Sequence, residues 1–356
     1  MMRSLIDILD LSVEEIDGLI ATALDIIDHP ESYADACRGK QLAALFFEPS
    51  TRTRLSFESA MLALGGQTLS VPGAALSSAA KGESIADTAK TVSCYADIIA
   101  IRHPQDGAAL VAAQNAWIPV INAGDGGHHH PTQTLADLLT IRREKGRFDH
   151  LTVGICGDLK YGRTVHSLMA AMGRYPDVRF VLISPNALRV PDYVTDQLQQ
   201  KGIPYQETAS LEDALPTLDI LYMTRIQRER FFDPALYEAL KDSYILTADK
   251  MQLARPDLCV MHPLPRVNEI SVAVDSDPRA CYFKQMYNGK IMRMALILKL
   301  LNDHSAPAPQ PTIYRHLRCA NPRCVSQTEQ ELAPAFLRVP GEREAYRCLY
   351  CEMLAH

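Results

Sequence analysis

Residues 50–54 read Ser-Thr-Arg-Thr-Arg and follow directly on an apolar run at 42–47. A helix that begins where a strand ends offers unpaired N–H groups and the positive end of its dipole, a natural seat for an anion. The hydroxyls of Ser50, Thr51 and Thr53 add donors, and Arg52 can hold two oxygens of a phosphoryl group in a bidentate fork. Arg102 follows the apolar run 98–101, and His130 with Gln133 follow the run 120–122 and a glycine turn. In the second half, Arg163, Arg225 and Gln227 again lie just after strand-like runs. The formal net charge is −6, so an anionic substrate has to be held by such local arginines. No basic block marks nucleic acid as a partner.

The C-terminal stretch carries different chemistry. Cys319 and Cys324 form one close pair, Cys348 and Cys351 another. Two thiolate pairs separated by a small module suit a tetrahedral Zn2+. A segment this short buries too little apolar surface to fold unaided, so the metal would supply folding energy. The other cysteines (Cys37, Cys94, Cys156, Cys259 and Cys281) read as reduced core residues. That reading, with acids where an export signal would be apolar, predicts a cytoplasmic protein. No run approaches the ~20 apolar residues of a membrane span. His128 and His129 read as exposed loop residues, because adjacent side chains rarely converge on one ion.

The elements that must position these residues follow from periodicity. Ser12 with Glu15 predicts a capping box, and Ile16, Leu19, Ile20, Ala23, Leu24 and Ile27 recur at helical spacing after it. Strands are predicted at 42–47, 98–101, 120–122, 153–156, 180–184, 220–223, 244–247 and 259–261, with helices between most of them, including 51–64 and 290–302. Strands alternating with helices predict an α/β fold of two domains, each a parallel sheet flanked by helices. Substrates in such folds bind at loops leaving the carboxyl ends of strands. Residues 304–312, with alternating prolines, read as a linker to a small zinc-binding module at 313–356. The small, polar stretch 77–84 reads as a mobile loop.

The run 50–54 is joined by His130-Pro131-Thr132-Gln133, Gly157-Asp158-Leu159-Lys160-Tyr161-Gly162-Arg163, Thr224-Arg225-Ile226-Gln227 and His262-Pro263-Leu264-Pro265-Arg266. In this order the motifs resemble those of the aspartate and ornithine carbamoyltransferase family, over nearly the whole chain to about 303. The resemblance implies a first domain of 1–131 with 288–303 that binds carbamoyl phosphate, and a second of 132–287 that binds the amino acid. It implies that Ser50, Thr51, Arg52 and Thr53 hold the phosphate, with Arg102 on both phosphate and carbonyl oxygen. His130 falls on the carbamoyl oxygen, Gln133 on the carbamoyl amide, and Pro263 and Leu264 on a rigid turn whose carbonyls meet the amide and the incoming amine. Arg163, Arg225, Gln227 and Leu264 are implied for aspartate. Ser77 and Lys81 would reach into a neighbouring subunit's site, which implies a homotrimer with shared sites. Arg52, Thr53, Lys81, Arg102 and His130 are the implied catalytic set.

His262-Pro-Leu-Pro and Thr-Arg-Ile-Gln favour an anionic amino acid over ornithine, whose enzymes carry a His-Cys-Leu-Pro turn and a Ser-Met-Gly loop. The tail resembles the zinc domain of the family's regulatory chain, here joined in cis without a nucleotide-binding domain and ending soon after Cys351. Nucleotide control is therefore not expected, whereas assembly beyond a trimer through the module is. No nucleophile elbow or Walker-type loop is present. The expected chemistry is direct attack of the aspartate amine on the carbamoyl carbon, with arginines of both halves converging on one cleft and no catalytic cofactor. An inactive structural partner and a nucleic-acid-binding tail are the rivals. Intact motif positions count against the first, and the lack of a basic recognition helix against the second.

Overall fold

The structure, a computed structural model, describes residues 3–73, 78–226, 234–303, 312–329, 331–339 and 345–355. The chain forms two compact units, Met1–Thr132 with Lys290–His356, and Gln133–Gly289. In the first, β1 (Gln41–Phe46), β2 (Gln67–Val71), β3 (Ile98–His103) and β4 (Val120–Asp125) form a parallel sheet in the order β2-β1-β3-β4. Its helices are α1 (Val13–Asp28), α2 (Thr51–Ala63), α3 (Ile85–Ser93) and α4 (Ala108–Asn115). Parallel strands covered on both faces read as continuous apolar runs, and residues 42–46 are all buried. The edge strand β2 is largely exposed, so it carries no such run and escapes the periodicity reading.

The predicted capping box opens α1: Ser12 Oγ accepts from Glu15 N at 3.2 Å, and Glu15 Oε2 accepts from Ser12 N at 3.0 Å. Ile16, Leu19, Ile20 and Ala23 are buried as predicted, but Leu24 and Ile27 are only half-buried and Ile26 completes the face.

The second unit starts within α5 (Pro131–Lys145) and ends within α11 (Tyr282–Asn302), the helices on which the chain passes between units. Between them lie β5 (Thr152–Cys156), α6 (Arg163–Met172), β6 (Arg179–Ile183), α7 (Asp192–Gln200), β7 (Tyr205–Thr208), α8 (Leu211–Ala214), β8 (Ile220–Met223), α9 (Pro234–Leu240), α10 (Ala248–Met251) and β9 (Cys259–Met261). The sheet is parallel, in the order β7-β6-β5-β8-β9. Inside this unit α5 and α11 are zipped by buried polar groups. Gln285 Nε2 donates to Asp137 Oδ1 at 2.5 Å, and Asn288 Nδ2 to Thr140 Oγ1 at 2.9 Å.

Three expectations change. Residues 244–247 are not a strand: Leu246 makes one isolated bridge to Ile270, and Thr247 instead caps α10 by accepting from Lys250 N. A short apolar run cannot by itself tell strand from buried connection. Helix α11 begins at Tyr282 rather than 290. The loop expected at 77–84 contains a 3-10 turn, Ser78–Lys81, and Ser77 lies outside the described residues.

The tail forms β10 (Phe336–Arg338), β11 (Tyr346–Cys348) and β12 (Leu354–Ala355), an antiparallel sheet that belongs to the first unit. One apolar cluster joins Ile85, Ala89, Ala108 and Ala112 of α3 and α4 to Val325, Phe336 and Tyr350 of the tail. Among the described residues no helix is long and apolar enough to cross a membrane.

Two glycines test the packing in opposite senses. Gly157, at the carboxyl end of β5, has φ +120°, and a Cβ there would stand 2.3 Å from Thr224 O. Gly157→Ala is expected to destabilise by about 1–3 kcal/mol. The exposed Gly18 within α1 has open space around it, so Gly18→Ala is expected to stabilise by about 0.5–1 kcal/mol. Urea unfolding midpoints of the two variants check both signs.

Candidate active site and metal-binding module

The first sheet brings three of its loops to one edge. Ser50 precedes α2 with φ −157° and ψ 89° and makes no side-chain capping bond, so its hydroxyl is not spent on closing the helix. Thr51 and Arg52 are exposed there and Thr53 half-buried. Arg54 instead pairs along the helix, its Nε 3.6 Å from Glu58 Oε1. Arg102 sits in β3 opposite Phe46 of β1, with Nη2 2.8 Å from Glu48 Oε2 and its side chain 13% exposed. Its Nε has no hydrogen-bond partner among the described residues, which leaves one edge of the fork for an incoming oxygen. His130, beyond β4, is buried, with Nδ1 3.5 Å from Thr132 Oγ1. Lys81 is exposed at the end of its 3-10 turn.

A residue the sequence reading missed ties these parts together. Arg293 is buried in α11, where it donates from Nη1 to Ser56 Oγ at 3.1 Å and from Nη2 to Thr132 Oγ1 at 3.2 Å. Its guanidinium lies 5.0 Å from the Phe57 ring centroid. It thus links the helix carrying Arg52 to the residues just after His130. The available signal was a lone charged residue within the otherwise apolar run 291–298.

In the second unit the carboxyl ends of β5, β8 and β9 supply the predicted residues. Arg163 is the first residue of α6, and Arg225 follows β8, half-buried. The two loops are laced together, since Asp158 N donates to Thr224 Oγ1 at 3.0 Å, which in turn donates to Cys156 O at 3.1 Å. Gln133 Nε2 donates to Asp137 Oδ1 at 2.8 Å, so its amide oxygen is the end left to accept. Gln227 lies outside the described residues.

The turn after β9 is built around His262. Its Nδ1 accepts from Leu264 N at 2.8 Å, its Nε2 lies 2.8 Å from Glu269 Oε1, and its own N donates to Gln285 Oε1 at 3.0 Å. Leu264 has φ 49° and the Leu264–Pro265 bond is cis. The sequence reading named Pro263 and Leu264 but not their buried supports, Glu269 three residues beyond the motif and Gln285 in α11. Burial pushes the Glu269 carboxyl up, but His262 and the donating N–H of Val267 prevail and hold it at about 2.

The four tail cysteines are buried, and their sulfurs lie within 4.8 Å of one another. Cys319 Sγ is 3.4 Å from Cys351 Sγ, and Cys324 Sγ is 3.8 Å from Cys348 Sγ. A disulfide would bring sulfurs to about 2.0 Å. Zn–S bonds of about 2.3 Å in a tetrahedron place them about 3.8 Å apart, so the donor set fits such an ion. The scattered cysteines are free and buried as predicted, except for Cys94, which is exposed.

His128 and His129 are not exposed loop residues. Their side chains are only 12% and 14% exposed, and each Nε2 lies 3.6 Å from an oxygen of Glu352, beside Cys351. Both are folded inward by carboxylates behind them and by the tail packed over them, neither of which local sequence reveals. Burial alone would lower the His128 imidazole, but Asp125 and Glu352 prevail and raise it to about 10.

With this geometry in view, comparison with known proteins is informative. Residues 3–143 match the family model of the aspartate/ornithine carbamoyltransferase carbamoyl-P binding domain, and 149–300 that of the Asp/Orn binding domain. Residues 311–355 match the metal binding domain of the aspartate carbamoyltransferase regulatory chain. The chain belongs to the aspartate/ornithine carbamoyltransferase family, is a transferase, and carries a metal-binding domain at its C-terminal end. Within the family its relatives lie on the aspartate side. It is 58% identical over 299 residues to the aspartate carbamoyltransferase catalytic subunit of Clostridium novyi (strain NT), covering 84% of this chain and 98% of that protein. The catalytic subunit of M. jannaschii aspartate transcarbamoylase superposes with a TM-score of 0.80 at 46% identity, covering 85% of this chain and 99% of the other. Aspartate transcarbamoylase from Trypanosoma cruzi in complex with carbamoyl phosphate and aspartate superposes with a TM-score of 0.79 at 39% identity, covering 83% and 96%.

The His262–Glu269 pair has a pH signature. Glu269 titrates below its ordinary 4.5, so its contribution is complete above the unfolded-state value and is lost as pH falls through about 2. The contribution amounts to about 3 kcal/mol at most. In Glu269→Gln that part of the pH dependence should vanish, as measured by the difference in urea-unfolding free energy between about pH 5 and pH 3.

Proposed function

We propose that this chain transfers the carbamoyl group of carbamoyl phosphate to the amine of L-aspartate, giving N-carbamoyl-L-aspartate and phosphate, a reaction of de novo pyrimidine synthesis. The observation that carries the residue assignment is that neighbouring strands β1, β3 and β4 deliver Arg52, Arg102 and His130 from the same edge of one sheet. In this reading Ser50, Thr51, Arg52 and Thr53 seat the phosphate at the helix start, and Ser77 and Lys81 come from a neighbouring subunit of a homotrimer. Arg102 bridges phosphate and carbonyl oxygen. Gln133 accepts from the carbamoyl amide, and the carbonyls of Pro263 and Leu264 orient amide and amine. Arg163, Arg225, Gln227 and Lys81 hold the two carboxylates of aspartate.

The amine attacks the carbamoyl carbon, and negative charge gathers on the carbonyl oxygen facing Arg102 and His130. Donors preorganised for such charge lower the barrier most. The C–O bond to phosphate then breaks, and the departing phosphate takes the amine proton. Positioning of well-oriented reactants contributes ~7–11 kcal/mol. The tail cysteines Cys319, Cys324, Cys348 and Cys351 hold a structural Zn2+, which supplies folding energy to the module and takes no part in the chemistry. The enzyme works in the cytoplasm, and the module offers a surface for assembly beyond the trimer.

Purified protein given carbamoyl phosphate with either aspartate or ornithine should form N-carbamoylaspartate and no citrulline; the reverse outcome would falsify the assignment. His130→Ala is expected to lower kcat roughly 100- to 1000-fold, while Arg225→Ala should mainly raise the KM for aspartate. A thiol-competitive chelator should release the metal and expose residues 312–355 to proteolysis, with the rest of the chain protected.

A further inference from the structure

We propose that His128, His129 and Glu352 form a second divalent-metal site, separate from the cysteine cluster, where the metal-binding module meets the loop before His130. The site would take a borderline ion of the Zn2+ class. Nε2 of His128 lies 3.6 Å from Glu352 Oε2, and Nε2 of His129 lies 3.6 Å from Glu352 Oε1. Those separations are too long for good hydrogen bonds. They approach the about 3.3–3.4 Å that metal bonds of about 2.0–2.1 Å set between tetrahedral ligands. Ligand atoms of the three side chains lie within 4.8 Å of one another. Nε2 of His128 is buried and has no hydrogen-bond partner among the described residues.

The groups behind the histidines strengthen the case. His128 Nδ1 is 3.3 Å from Asp125 Oδ2, and His129 Nδ1 is 3.5 Å from Asp7 Oδ1. A carboxylate behind each imidazole holds the proton on Nδ1 and turns the Nε2 lone pair toward an ion, as in carboxylate–histidine–metal arrangements. Asp125 is itself held by Asn122 Nδ2 at 2.9 Å, Gly107 N at 2.8 Å and His129 N at 3.1 Å. Glu352 adopts φ 59°, a left-handed conformation uncommon for glutamate, and its side chain is 53% exposed, which gives an ion a path in. Three carboxylates face two imidazoles, so with neutral rings the cluster is negative and a dication balances it. Two imidazole nitrogens favour Zn2+, Co2+ or Ni2+ over Mg2+ or Ca2+. An ion here would clamp the loop whose next residue is His130.

The test is a Co2+ titration of the full-length, metal-stripped protein. Thiolate-to-cobalt charge transfer reports the cysteine cluster, and ligand-field absorption reports both sites. In the wild type, charge transfer should saturate at about one equivalent while ligand-field absorption continues to about two. In Glu352→Gln and His128→Asn the second phase should be lost or weakened at least about 10-fold, with charge transfer kept as the sign of a folded module. Wild-type absorption that saturates together with charge transfer at one equivalent would overturn the proposal and leave a protonated ion-pair cluster in its place. So would a second phase that survives in both variants. If a variant loses its charge transfer, the wild-type titration decides alone.

Discussion

Parallel pairing puts the carboxyl ends of all strands in a sheet on one edge, and the chemistry of this chain depends on that constraint. Strands β1, β3 and β4 are buried over most of their length, and each then releases a loop at the same edge as its neighbours. Arg52, Arg102 and His130 therefore leave the same edge of one sheet although spread over seventy-nine positions of sequence, counting from 52 to 130. The second sheet repeats the device with Arg163, Arg225 and the turn after His262 on β5, β8 and β9.

Holding cations at such an edge in a chain of net charge −6 requires local partners. Glu48 steadies one side of Arg102, and Arg293 binds hydroxyls of two elements at once. The His262–Glu269–Gln285 set does the same for a turn with a left-handed leucine. A buried charge left unpaired costs several kcal/mol, so these partners are as necessary to the edge as the residues proposed to touch substrate.

The tail solves a different problem. Its strands are too short to bury a core of their own, and its apolar residues join the cluster over α3 and α4. Gly107, with φ +89°, lets the tail approach closely, since a Cβ there would stand 2.5 Å from Tyr350 O. Asp106 fastens the seam, accepting from Asn321 Nδ2 at 2.7 Å and exchanging backbone bonds with Arg323 and Val325.

Much of this was legible in the sequence, because long-period patterns and close spacings are local properties of a chain. Apolar runs marked most strands, the hydroxyl–arginine run marked the helix start, and paired cysteines marked the metal module. What stayed hidden has no local signature. The edge strands β2 and β7 carry exposed side chains, and 244–247 looks like a strand without being paired as one. Arg293, Glu269 and the inward turn of His128 and His129 gain their roles from groups distant in sequence. Local spacing by itself determined which residues could do chemistry; tertiary packing alone decided which buried partners face them, because burial and charge pairing are settled only when remote segments meet.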